Sequence, residues 1–422
     1  MSLLAVLRRR VYAEQRRRRQ KMSRILKRII EGFVLGTNGV PAFRKAYEAV
    51  YVAGLNLVVS RIKRYKEIKA ICSRRSMVSG KWAPGYSDID LFVLIDEMEP
   101  DAEKNFLKSF WKKYNFWKRY LPFLGEVQVS TAGELNDYAM HGDIRALEIK
   151  NNWKILYGSK LNVPEYVLNE RKHKMDVFNE MLKSYHYIVR FFWLDGLKNS
   201  RRESHIYKKA FADMSKTAGG FINGGDVAAG GDVEAGVEVA AGGDVAVSGD
   251  VTASGGHERA YVSAILLLDN YAKRLSKEIF IGYDEGFKIR SNQNWKEMED
   301  TINNSDGLIL SVIQSHSREY TYVVLKDGIT PAEIRGVIGV VKDRRKREPA
   351  FFGPPPFLVT RSAFECVANS LHLETASNYY SLVLSPNVII GEVDGIRKID
   401  RGLFLLLLKE CLVNAKQWQR SG

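Results

Sequence analysis

The chain has 422 residues, more than one hydrophobic core usually organises. Its 45% hydrophobic and 27% charged residues fall in the ordinary globular range and exclude global disorder. A formal charge of +15 leaves polyanions as plausible partners, while three scattered cysteines with no Cys-x-x-Cys pair exclude a disulfide framework or a zinc ribbon.

Residues 1–28 hold eleven Lys or Arg against the single acid Glu14, so most of the excess charge sits in an N-terminal arm, residues 1–40. Such an arm either contacts RNA, DNA or an anionic membrane surface without reading sequence, or is a solvated, partly helical tail. It lacks the apolar stretch and small-residue cleavage site of an export signal, and the chain is expected to be cytoplasmic.

After Pro41, apolar residues at three- and four-residue steps, among them Tyr47, Tyr51, Gly54 and Val58, predict an amphipathic helix over 41–65. A short strand is expected at 67–72, then a helical turn at 73–76 and a tight turn at Pro84-Gly85. A strand at 88–95 comes next, then a helix capped by Asp101 and running to about Lys118 with Phe106, Phe110 and Tyr114 on one face. Pro122 stops that helix, and 123–130 reads as the next strand. This order predicts an α+β domain over residues 41–160.

Residues 161–300 read as a helical domain, from one stripe through Phe178, Met181, Leu182 and Tyr185 and another through Tyr261, Ile265, Leu268 and Leu275. Between the stripes, residues 219–256 carry no Lys or Arg and place Asp226, Asp232, Glu238, Asp244 and Asp250 six apart, each followed by valine. Five hexads make fewer than two coils of a β-helix, so an expanded surface loop is the better reading. Residues 301–422 mix a strand at 320–325, a helix from Pro331, a proline-rich segment at 351–357 and an apolar helix at 401–415. The longest apolar run, Leu403 to Leu408, is too short to span a bilayer.

Chemistry gathers at Ser87-Asp88-Ile89-Asp90, the entry to an otherwise apolar strand. Side chains alternate along a strand, so Asp88 and Asp90 share a face. Two carboxylates there cannot both be buried unpaired without a cost of several kcal/mol, and a magnesium ion relieves it. The strand at 123–130 offers Glu126, with Gln128 on the same face, as a third group. A three-carboxylate cluster suits two-metal phosphoryl transfer, in which one ion activates the attacking hydroxyl and the other holds a triphosphate.

Ser76 followed after eleven residues by Asp88-Ile89-Asp90 resembles the signature of polymerase β-like nucleotidyltransferases, a Gly-Ser loop and then two aspartates in an apolar strand. The stretch from Leu124 to Val129 and the run Gly142 to Gly158, with Arg145, Glu148 and Trp153, are similar to the segments beyond that strand in longer members, so the resemblance covers about residues 65–160. It implies a mixed sheet flanked by helices, two magnesium ions held by Asp88, Asp90 and Glu126 as the catalytic carboxylates, and a nucleoside triphosphate held near Arg75, Ser76, Gly80 and Ser87. Arg75 stands where that family has glycine, and either grips the triphosphate or fills its place. Gln128 competes with Glu126 for the third ligand position.

No H-E-x-x-H, G-x-S-x-G or G-x-x-x-x-G-K-[ST] motif occurs. The expected function is transfer of a nucleoside monophosphate to an acceptor hydroxyl on a small molecule, protein or RNA. The alternative is a catalytically impaired protein that keeps the fold and binds nucleotide or RNA.

Overall fold

The computed structural model describes residues 32–34, 36–37, 40–74, 77–78, 87–121, 123–140, 153–158, 169–193, 207, 209–215, 256–280, 287–289, 296–303, 305–316, 320–347, 355–370, 382–383 and 386–420. The basic arm at 1–28, the loop residues Arg75, Ser76 and Gly80, and the repeat segment from 219 to 255 lie outside them. The chain divides into two compact units, one of residues 1–137, 146–164 and 416–422, the other of 138–145 and 165–415. Both are α+β, and among the described residues no helix is long and apolar enough to cross a membrane.

In the first unit, helix α1 (Pro41–Ile62) starts on Pro41, whose fixed φ suits a first helical turn, and buries Tyr51, Leu55, Val58 and Ile62. Strands β1 (Ile68–Ser73) and β2 (Ile89–Ile95) pair antiparallel. Helix α2 (Pro100–Tyr120) then carries the chain to β3 (Leu124–Thr131), which lies parallel to β2. Asp101, expected as the cap of α2, instead sits in its first turn behind Pro100; its charge there faces the positive end of the helix dipole. Phe106, Phe110 and Tyr114 are the buried face of α2, as their spacing requires.

Helix α3 (Ala132–Met140) continues directly from β3. Thr131 closes the junction as a capping box: the Glu134 amide donates to the Thr131 hydroxyl at 3.4 Å and the Thr131 amide to the Glu134 carboxylate at 3.2 Å. Strand β4 (Lys154–Gly158) completes a four-stranded sheet of order β3-β2-β1-β4, antiparallel to β1. One face of the sheet, with Ile71, Ile89, Leu91, Val93, Val127 and Val129, packs with α1 and α2 into the core.

The second unit contains helices α4 (Glu170–Trp193) and α5 (Gly256–Ile279), strand β5 (Phe287–Ile289), helix α6 (Lys296–Asn303), strands β6 (Ile309–Gln314) and β7 (Thr321–Leu325) and helix α7 (Pro331–Arg347). Strand β8 (Pro356–Thr360), helix α8 (Arg361–Asn369), strands β9 (Val388–Gly391) and β10 (Val393–Ile396) and helix α9 (Arg401–Arg420) come after it, residues 416–420 of α9 belonging to the first unit. β6, β7, β8 and β9 make a second sheet, of order β8-β7-β6-β9.

The expected helical region 161–300 and mixed region 301–422 share one core here. Phe178 and Tyr185 of α4, Leu268 and Leu275 of α5, and Val323, Leu358 and Ile390 of the sheet belong to a single buried cluster. The two helical stripes need an apolar cover, and the sheet supplies it. Lys172 on α4 is fully buried, its Nζ 2.6 Å from both Asp176 and Glu410, which is how an interior ammonium is tolerated.

Candidate functional site

The register between β2 and β3 slips by one residue at the acidic end of β2: Ile89 faces Leu124, but Leu91 faces Val127. Gly125 and Glu126 therefore both stand opposite Asp90, a β-bulge at the strand's entry. A Cβ on residue 125 would lie 2.3 Å from Asp90 Oδ1 and 3.0 Å from the Asp88 Cβ, so any larger residue there would displace the Asp90 carboxylate. The missing side chain makes room for both acids. Asp90 Oδ1 accepts the Glu126 backbone N–H at 2.9 Å. Asp88 is exposed and Asp90 half-buried, so both lie at a surface that solvent or a ligand reaches.

Helix α2 braces the bulge. The Gly125 carbonyl accepts from Lys118 Nζ at 2.8 Å and from the Tyr114 hydroxyl at 3.2 Å. Burial, and after it the charges of Asp90 and Asp88, push the Tyr114 hydroxyl above its ordinary range, so it remains a donor.

On the side of Asp90, the Arg74 backbone N–H donates to the Asp90 carbonyl at 3.0 Å. Its buried guanidinium donates to Gln128 Oε1 at 2.6 Å and lies over the Trp153 ring, 5.4 Å from the centroid. Trp153 in turn packs on Phe92 at 4.4 Å. Cys72, in the adjoining strand, is buried and its thiol is pushed up to about 11 by that burial, which removes it as a nucleophile.

The structure thus brings Asp88 and Asp90 together at the bulge, with Ser87 just before them. It does not assemble the expected three-carboxylate group: among the described residues no three His, Cys, Asp or Glu side chains gather closely enough to hold a metal ion. At the bulge, which breaks the strict alternation behind that expectation, Glu126 meets Asp90 through its amide, and its side chain is exposed. Gln128 is not a substitute ligand either, as Arg74 occupies its amide oxygen.

Comparison with protein-family models, with curated proteins and with solved structures returned no match. The site is therefore read from its own geometry. Sequence reasoning missed Gly125, Tyr114, Lys118 and Arg74. Gly125 had a signal, since an isolated glycine at a strand's start marks a bulge or a close approach. Lys118 and Tyr114 had none, because a helix's reach to a particular carbonyl is set by tertiary packing.

Proposed function

We propose that the chain is a magnesium-dependent nucleotidyltransferase of the polymerase β-like type that moves a nucleoside monophosphate from a triphosphate to an acceptor hydroxyl. The observation that carries this reading is the pair Asp88 and Asp90 seated at a glycine-made bulge on the exposed end of a strand. A hard-oxygen pair at a solvent-reached strand end fits magnesium, which is ordinarily held by one or two carboxylates and completes its shell with water and substrate phosphate oxygens. Asp88 and Asp90 would hold it, and the bound ion would supply charge stabilisation to the transferring phosphoryl group.

The chain's own residues do the rest of the positioning. The Glu126 amide fixes one Asp90 oxygen, and Arg74 and Asp90 are tied through their backbones. Lys118 adds a cation beside the bulge.

The reading is tested by incubating the full-length protein with each α-labelled nucleoside triphosphate, magnesium and cell extract. Label should appear on an acceptor with the parent protein and not with Asp90→Asn. Transfer that survives Asp90→Asn would sink the proposal. A second reading, nucleotide or RNA binding without transfer, is favoured by the unfilled third position at Glu126 and the Arg74–Gln128 bond. Its mark is triphosphate binding that Asp90→Asn weakens, with no labelled product from any extract.

A further inference from the structure

The two four-stranded sheets have the same wiring. In each, the first two strands are antiparallel, a helix crosses to a third strand parallel to the second, a helix continues from that strand without a linker, and the last strand returns antiparallel to the first. A crossover of this kind is common, so wiring alone decides little. The irregularities decide more. β1 and β2 slip in register between Ile68 and Ala70; β6 and β7 slip at the same place, between Ile309 and Ser311. Past the strand, Arg74 N–H donates to the Asp90 carbonyl at 3.0 Å, and Ser315 N–H donates to the Tyr320 carbonyl at 2.8 Å. At the other end, Asp96 N–H meets the Glu67 carbonyl at 2.8 Å and Lys326 N–H the Leu308 carbonyl at 3.0 Å.

The last strands agree as well. Gly158 faces Ala70 with φ +89°, and Gly391 faces Ser311 with φ +82°. A Cβ on either would strike the first strand's backbone, 2.0 Å from the Lys69 oxygen or 2.3 Å from the Leu310 oxygen. Thr131 and Thr360 both end a strand and cap the helix after it through their hydroxyls. These coincidences are not demanded by the wiring, and together they fix which residues correspond: Asp90 with Tyr320, Phe92 with Tyr322, Gln128 with Phe357.

We infer that residues 68–158 and 309–391 are two copies of one β–β–α–β–α–β unit, and that in the second copy the strand end corresponding to the acidic site has become the seat of helices α4 and α5. Tyr320, at the place of Asp90, lies 5.5 Å from His186 of α4 and 5.9 Å from Phe357. Phe357, at the place of Gln128, lies 4.6 Å from His186 and 6.3 Å from Tyr185. The backbone beside it is engaged too: the Leu358 carbonyl accepts the Tyr185 hydroxyl at 2.5 Å, and the Leu358 N–H donates to the Tyr261 hydroxyl of α5 at 3.4 Å. Where the first copy keeps a carboxylate, an amide and a guanidinium, the second presents aromatic rings to α4 and a backbone N–H to α5.

The test puts the first copy's residue into the second. Phe357→Gln should lower the melting temperature by roughly 5–10 °C, and the milder Phe357→Leu by roughly 2–4 °C. Hydrogen exchange should show the lost protection first in 170–193 and 256–279. Gln128→Ala in the first copy should leave that protection as it was. The inference is overturned if both Phe357 variants keep the parent melting temperature and helix protection. It is also overturned if Asp90→Asn retains saturable Mg-ATP binding that Phe357→Leu removes, since the second copy would then hold a ligand site. The ligand role of Asp90 rests on the nucleotidyltransferase reading, and the two fail separately. A parent protein that binds no Mg-ATP defeats that reading, while the melting and exchange measurements still decide the role of the second copy.

Discussion

At the entry of β2 the first sheet holds Asp88 and Asp90 around a glycine, and the neighbouring strand turns an amide toward them. At the corresponding end of β7 the second sheet holds Tyr320 and Phe357 against α4. The backbones agree down to a register slip and a left-handed glycine. What separates a polar surface from a packed one is the side chain at two or three positions. The lesson is that wiring specifies where a site can be, and residue chemistry specifies whether it is one.

The sharpest way to break this comparison is at the buried charge of the packed unit. Lys172→Met should cost about 3–5 kcal/mol, because it leaves Asp176 and Glu410 in an apolar interior without their shared cation. A chemical denaturation midpoint unchanged from the parent would show that the cluster is solvated. Next come the corresponding glycines. Gly158→Ala and Gly391→Ala should each cost about 3 kcal/mol, from left-handed strain and from backbone overlap, and by similar amounts in the two units. Unfolding curves that differ between the two variants by more than about 2 kcal/mol would count against their equivalence.

At the acidic end, by contrast, Asp90→Asn should change stability by no more than about 1 kcal/mol while removing nucleotide transfer, since the amide still accepts the Glu126 N–H. A large stability loss there would make Asp90 a structural residue. The smallest effect is expected from pH. Burial, and then the charges of Lys172 and Lys174, hold the His173 imidazole below its ordinary value. Below about pH 6.5 the unfolded chain takes up a proton that the folded form resists, so stability falls as the pH drops toward about 5.5. Parent melting temperatures at about pH 7.5 and about pH 5.5 should differ by more than those of His173→Gln; equal differences would remove His173 from the pH response.

Much of this was legible because periodicity is a local signal. Phe106, Phe110 and Tyr114 gave away α2, and the alternation of Ile89, Leu91 and Val93 gave away β2 together with the acids at its entry. Strand β6 was missed because Ile309–Gln314 is a short run whose neighbours carry no helix or hairpin pattern. Helix α8 was missed because Thr360 is both the last strand residue and the cap, so no loop separates the two elements. The three-carboxylate group expected with Glu126 does not gather among the described residues, and the expectation rested on a different kind of signal. Strict alternation aims Glu126 beside Gln128, and the bulge that breaks alternation arises from a pairing register that no single strand encodes. The duplication was illegible for the same kind of reason: the corresponding positions share geometry, and apart from the glycines and the threonine caps they share little residue identity.

The two tyrosine hydroxyls on Leu358 bear on a hazard outside the folding of one chain. β8 ends its sheet, and the free edge of a strand is a template for strands from other molecules. Burial pushes Tyr261 up to about 12, so its hydroxyl stays protonated at any physiological pH and the cover does not titrate away. Replacing Tyr185 and Tyr261 together by phenylalanine keeps the rings and leaves the buried amide and carbonyl of Leu358 without these partners. Such a protein should melt below the parent, because two buried backbone groups lose their partners, and partial opening of that edge should add concentration-dependent self-association in light scattering.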